Sequence, residues 1–191
     1  MRQFLLPVAI LLLAGCTTSA PMADVTRFHL GQPIPKDTVQ IVAPAADIAT
    51  QLNIAAAKSA IATELEGLGF RPVDVATSAY VAAFRIDETS QQGPPKPSPF
   101  NIGIGGATGG RNVGIGGSVN IPVGNSRPGD TIRTTLLILD IKRRSDNSVV
   151  WEGRASRITN AKSPNPLPGL ARALFTGFPG PSGQMIQVPA K

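Results

Sequence analysis

Apolar and polar residues keep two rhythms along this chain of 191 residues. The first has a period of two, which sets alternate side chains on opposite faces of an extended strand. It runs through residues 25–30 (VTRFHL) and 38–42 (TVQIV), which a turn bearing Pro33 and Pro35 separates, and then through 70–75. Residues 80–87 (YVAAFRID) carry it most clearly, with Tyr80, Ala82, Phe84 and Ile86 sharing one face. Residues 131–142 (TIRTTLLILDIK) and 148–158 (SVVWEGRASRI) flank Ser145-Asp146-Asn147. Two β-rich runs around so short an Asp/Asn turn predict a hairpin.

The second rhythm is helical. Between residues 45 and 68, Ile54, Ile61, Leu65 and Leu68 recur at +7, +4 and +3 with alanines between them, one apolar stripe. Asp47 is placed to cap the start, and Gly67 or Gly69 to supply the stop. Leu167, Leu170, Leu174 and Phe178 repeat the pattern more briefly, and Pro179 ends it. Strands, helix, strands and helix in this order predict an α+β fold: a mostly antiparallel sheet with two helices packed on one face.

One stretch fits neither rhythm at first sight. Residues 101–124 read NIGIGGATGGRNVGIGGSVNIPVG, with nine glycines in 24 residues. A dinucleotide loop needs G-x-G-x-x-G between a strand and a helix, but Thr108 and Val119 stand where the third glycine belongs. A P-loop needs Lys-Ser/Thr where Arg111-Asn112 stand, and Ile121-Pro122-Val123 is extended rather than helical. Ile102 and Ile104, Val113 and Ile115, and Val119 and Ile121 instead keep the strand period. A glycine-rich β-hairpin insertion is expected, set within a Pro/Gly-rich connection over 91–130. Glycine strands pack little and hold register weakly, so these six residues form a candidate contact hairpin that needs a surface to dock on.

The N-terminus carries the most specific signal. Arg2 precedes an apolar run of 11 residues, 4–14, which is shorter than the about 20 needed to span a bilayer and is the length of a signal-peptide core. Leu13-Ala14-Gly15-Cys16 follows at once, similar to a bacterial lipobox, in which the chain is cut before a cysteine that is lipidated. Cleavage is therefore expected between Gly15 and Cys16, with lipidation at Cys16. Cys16 is the only cysteine, so no intramolecular disulfide competes for it. Acyl chains such as palmitate on Cys16 would hold the protein to a membrane, and more than one chain makes that hold stable. Thr17, in place of the aspartate that retains enterobacterial lipoproteins in the inner membrane, points to the outer membrane with the domain facing the periplasm. The expected organisation is a signal peptide (1–15), a lipidated tether (16–23), a single α+β domain (24–178) and a C-terminal tail (179–191).

Composition narrows the chemistry. Apolar content of 42% with 16% charge describes a chain that folds, and 20 glycines with 18 prolines describe long loops around a modest core. The net charge of +6 is scattered, its densest run being Lys142-Arg143-Arg144, so no nucleic-acid partner is expected. His29 is the only histidine, which leaves no ligand set for zinc. The acids are dispersed, and the adjacent pair Asp87-Glu88 points to opposite strand faces. Trp151 alternates with Val149, Gly153 and Ala155 and is expected in the core, where Gly153 makes room for the ring or marks a bulge. Asp140, inside an apolar strand, calls for a partner, and Arg154 across the hairpin is the expected one. No catalytic residues, cofactor or metal are expected.

Taken in order, several of these pieces resemble one family. They are the lipobox, ELEGLGF (64–70), YVAAFRID (80–87), a glycine-rich insertion, TLLILDIK (135–142), VVWEGRAS (149–156) and LARALFTGFP (170–179). Together they resemble the "domain of unknown function 4136" family of bacterial lipoproteins, over roughly residues 24–179. That resemblance implies an envelope lipoprotein and carries over no catalytic residue. The expected role is a structural, assembly or transport-accessory component with an envelope protein partner. The alternative is a module that binds cell-wall glycan or lipid.

Overall fold

A computed structural model describes residues 20–45, 48–94, 101–104, 119–122 and 129–190, with backbone alone for 48–50, 101–104 and 119–122. The elements in chain order are β1 (Met22–Phe28), β2 (Thr38–Val42), α1 (Ile48–Gly67), β3 (Arg71–Pro72) and β4 (Tyr80–Gln92). They continue with β5 (Asn101–Ile104), β6 (Val119–Pro122), β7 (Thr131–Arg143), β8 (Val149–Asn160), α2 (Leu167–Phe175) and β9 (Met185–Pro189). Seven strands form one sheet in the order β3-β2-β4-β7-β8-β1-β9. The chain is thus a mixed α/β protein with a mostly antiparallel sheet and two helices. Only β2 pairs in parallel, with β3 and β4, because α1 carries the chain back over the sheet between them.

Register explains which strand residues are buried. Val25 stands opposite Ala155, Ala155 opposite Leu137, Leu139 opposite Phe84, and Ala82 opposite Ile41. All of these belong to a single core cluster, to which α1 contributes Ala57, Ile61 and Leu65 and α2 contributes Leu167, Leu170 and Leu174. The neighbouring register rows hold Thr26, Arg154 and Arg85 around Ile138, which is itself buried at the centre of the sheet. Trp151 is fully buried, stacks on Phe175 with centroids 5.6 Å apart, and donates Nε1–H to the carbonyl of Pro179 at 3.0 Å. Gly153 follows on the same face, and a Cβ there would run into the Trp151 ring and Leu174 Cδ1. The room-making role expected of Gly153 is what the structure shows, while the irregularity in β7–β8 pairing lies nearby, between Ile141 and Lys142.

The least expected core member is Arg27, 1% exposed. Its Nε donates to the Leu174 carbonyl at 2.9 Å, and Nη2 donates to those of Ala173 at 2.8 Å and Thr176 at 2.9 Å. These lie at the C-terminal end of α2, where carbonyls lack helical partners and the helix dipole is negative. Burial lowers the guanidinium pKa from its ordinary value. Gly180 lies so close that a Cβ there would sit 2.7 Å from Arg27 Nη1.

Three expectations need correction. Residues 185–189, assigned to a tail, form β9, which pairs with β1 and buries Val188; an MIQVP segment of five residues is too short to announce itself beside so many glycines and prolines. The strand expected over 70–75 shrinks to Arg71–Pro72, because proline cannot continue a ladder. Arg154 does not pair with Asp140: its Nε and Nη2 contact Glu152 Oε1 on the same strand at 2.8 and 2.7 Å. Asp140 instead sits directly opposite Glu152, half-buried, so the nearer carboxylate takes the guanidinium.

Candidate functional site

The residues singled out in the sequence fall in different places. Cys16, its cleavage point, Val113 and Ile115 lie outside the described residues. Ile102 and Ile104 lie on β5, and Val119 and Ile121 on β6. The two strands pair antiparallel, Ile102 with Ile121 and Ile104 with Val119, in a two-stranded sheet of their own. They interrupt the connection between β4 and β7, whose 13-residue strands pair from Tyr80–Arg143 to Gln92–Thr131.

His29 closes a loop. Its Nε2 lies 2.8 Å from the Gly180 carbonyl, Nδ1 accepts from the Gly31 amide at 3.0 Å, and its own amide donates to Ser182 Oγ at 3.1 Å. A ring that donates from one nitrogen and accepts at the other serves the packing of this turn. Among the described residues, no group of three or more His, Cys, Asp or Glu side chains gathers as a metal ion would need. No described helix is long and apolar enough to cross a membrane.

The described side chains do converge at one end of the sheet. There the β1–β2 loop faces the turn between β7 and β8 across a recess of about 210 Å3, whose lining includes Ile34, Pro35, Tyr80, Arg143, Asp146 and Val150. A second recess of about 410 Å3 adjoins it, shares Tyr80 and Arg143, and adds Arg144 and Asp37. Tyr80 and Arg143 are cross-strand partners at the ends of β4 and β7, which is why residues 63 positions apart meet.

Each wall is tied down. Lys36 Nζ lies 4.3 Å from the Phe70 ring centroid and 4.5 Å from that of Phe178, an attraction of cation to ring faces that fixes the β1–β2 loop. Burial lowers the pKa of this amine. Phe70 in turn meets Tyr80 edge-to-face at 6.0 Å. Asp37 accepts from the Thr38 amide at 2.7 Å and from Arg71 at 3.3 Å, and the Thr38 bond is the chief reason its carboxyl stays below the usual range. Arg144 joins three segments, donating to the Ser78 carbonyl at 2.9 Å, Ser78 Oγ at 3.0 Å and Gln40 Oε1 at 2.6 Å. Asp146 organises the turn: Oδ1 accepts from Ser148 Oγ at 2.7 Å and the Ser148 amide at 3.1 Å, and Oδ2 accepts from Arg143 Nη1 at 2.9 Å. These bonds, the Ser148 hydroxyl first, lower its pKa to about 2. Sequence reading treated Tyr80 as a plain strand residue and Arg143 as part of a charge run. The signal was there in part, since Tyr80 is the sole tyrosine and opens a strand, but their meeting depends on register.

A model of the domain of unknown function DUF4136 matches residues 36–180, about three quarters of the chain. The chain belongs to the DUF4136 family. The matched span begins in the β1–β2 loop and ends past α2, so it takes in Tyr80, Arg143 and Asp146 of the recess, the long β4–β7 connection and α2, while Arg27 and the recess wall from Leu30 to Pro35 precede it. An uncharacterised protein of Zymomonas mobilis subsp. mobilis, ZMO1243, is 32% identical over 79 residues, which cover 39% of this chain and 30% of that protein. Two solved structures are similar at lower identity. The PelC dodecamer from Paraburkholderia phytofirmans is 15% identical with a TM-score of 0.44, covering 81% of this chain and 93% of that one. A PDZ domain protein from Parabacteroides distasonis is 12% identical with a TM-score of 0.46, covering 88% of this chain and 39% of that one.

Proposed function

We propose that this DUF4136 protein is a non-enzymatic lipoprotein of the bacterial envelope. Acyl chains on Cys16 hold it to the outer membrane, and the α+β domain faces the periplasm as a structural, assembly or transport-accessory component. The observation that carries the reading is Leu13-Ala14-Gly15-Cys16 at the end of an 11-residue apolar run in a chain with no other cysteine. Two helices cover one face of the sheet, and β5 and β6 belong to a glycine-rich hairpin set into the β4–β7 connection. That hairpin is the contact element for an envelope protein partner, because strands so poor in side chains need a surface to rest on.

Site-specific photocrosslinkers at Ile102, Ile104 and Ile121, used in cells, test the contact. The reading expects one envelope protein to be captured reproducibly from these positions and not from exposed Lys162. Equal capture from all four positions would count against the hairpin as a contact element. Capture of glycan or lipid instead of protein would move the assignment to a ligand-binding module.

A further inference from the structure

We infer that the recess between the β1–β2 loop and the β7–β8 turn is a binding site for a small carboxylate bearing a short apolar group. The inference is independent of where the chain is anchored and of what the β5–β6 strands touch. It begins with Tyr80, which is 5% exposed and whose phenol oxygen forms no hydrogen bond among the described residues, Ser78 Oγ donating to its backbone carbonyl instead. No described side-chain nitrogen or oxygen is both fully buried and without a partner, so the phenol oxygen keeps some access to solvent, and Tyr80 lines both recesses. A buried ring that ends in an unpartnered hydroxyl beside a cleft has a donor to offer a ligand.

Arg143 supplies the second half. Its Nη1 donates to Asp146 Oδ2 at 2.9 Å and to Ser148 Oγ at 3.4 Å. Nε and Nη2 make no hydrogen bond among the described residues, although the side chain is 43% exposed beside the recess. The Nε–Nη2 edge is a planar fork that grips a carboxylate with two parallel bonds. Asp146 holds the other edge, which fixes the plane of the guanidinium before any ligand arrives. Asp146 also brings negative charge, and Asp37 brings more, but Arg71, Arg143 and Arg144 set three guanidiniums against these two carboxylates. The balance favours an anion over a cation.

The remaining lining selects for an apolar body. Leu30, Ile34, Pro35, Val149 and Val150 form the walls, and Leu30 is 84% exposed at the mouth. A volume of about 210 Å3 falls below the roughly 300–1,000 Å3 of sites for drug-sized ligands, so the apolar group is short. Because the walls are pinned by Lys36, Arg71 and Arg144, the recess exists before binding, which spares the ligand the cost of ordering a loop.

Pentanoate is a suitable probe, with 1-pentanol, pentylammonium and acetate as controls that lack the charge, reverse it, or lack the chain. The full chain in detergent micelles is titrated by calorimetry and by near-ultraviolet difference absorbance, in which the Tyr80→Phe protein separates the signal of the sole tyrosine from that of Trp151. Pentanoate is expected to bind more tightly than each control and to perturb the tyrosine band. Tyr80→Phe is expected to weaken pentanoate by about 5-fold, and Arg143→Gln by at least about 10-fold. Arg154→Gln, on the register row away from the recess, should leave it unchanged. Should Arg143→Gln unfold, Tyr80→Phe carries the test, since it removes one oxygen and no packing. Binding of all four probes alike, or unchanged pentanoate affinity in folded Tyr80→Phe, would overturn the inference.

Discussion

Arg27 shows how a single side chain can decide the fate of a helix end. Its guanidinium serves three carbonyls at the C-terminus of α2, and any shorter or uncharged residue leaves them without partners in a buried place. Arg27→Met is expected to cost about 2–4 kcal/mol of stability, read as a lower midpoint in urea unfolding. Gly153→Ala should cost about 1–3 kcal/mol in the same assay, because neither the buried indole of Trp151 nor Leu174 can retreat from the added methyl. Asp146 makes a different kind of contribution. Its pKa falls from 3.8 to about 2 on folding, so the stabilisation is fully present above the unfolded value and is lost as pH falls through the folded one. Asp146→Asn should therefore flatten part of the loss of stability between about pH 4 and 2, measured as urea midpoints against pH. Asp37, lowered in the same direction, contributes to the slope in the same sense. At this scale the sequence spoke unevenly. The burial of Trp151 and the room at Gly153 followed from alternation alone. Arg27 shared that alternation with Val25 and was missed, because its partners are backbone carbonyls nearly 150 residues away.

At the level of elements, β9 is the clearest test of what closes the sheet. It covers the edge of β1, buries Val188, and ends beside Ala190, whose carbonyl lies against Gly169 of α2. A chain that stops after Gln184 should lose about 2–4 kcal/mol, mainly the burial of these apolar groups, again read from urea unfolding. Strands with clear alternation were legible, as β2, β4, β7 and β8 show, and α1 and α2 followed from their stripes, although α2 ends at Phe175 and leaves Phe178, expected in the helix, in the turn beyond it. What failed to show was pairing. A period of two cannot say that β2 runs parallel to β4, that β9 returns to β1, or that Glu152 rather than Asp140 holds Arg154. Those outcomes depend on contacts between distant segments, and the recess, which exists because Tyr80 and Arg143 are in register, was hidden for the same reason.

For the whole molecule, the proposed function joins the α/β sheet, with the recess at one end and the β5–β6 strands in the β4–β7 connection, to an N-terminus proposed to be lipidated. In the proposed function the domain supplies surfaces for binding, and the lipidated N-terminus decides where those surfaces are presented. The anchor is therefore the claim on which the functional reading rests. Intact-mass spectrometry of the protein isolated from membranes of its own cells tests it most directly, alongside a Cys16→Ser variant. The account predicts a chain that begins at Cys16 and carries the added mass of acyl chains on that residue, while the variant lacks that mass and leaves the membrane fraction. An unmodified Cys16, or a Cys16→Ser protein that stays in the membrane as fully as the original, would contradict it.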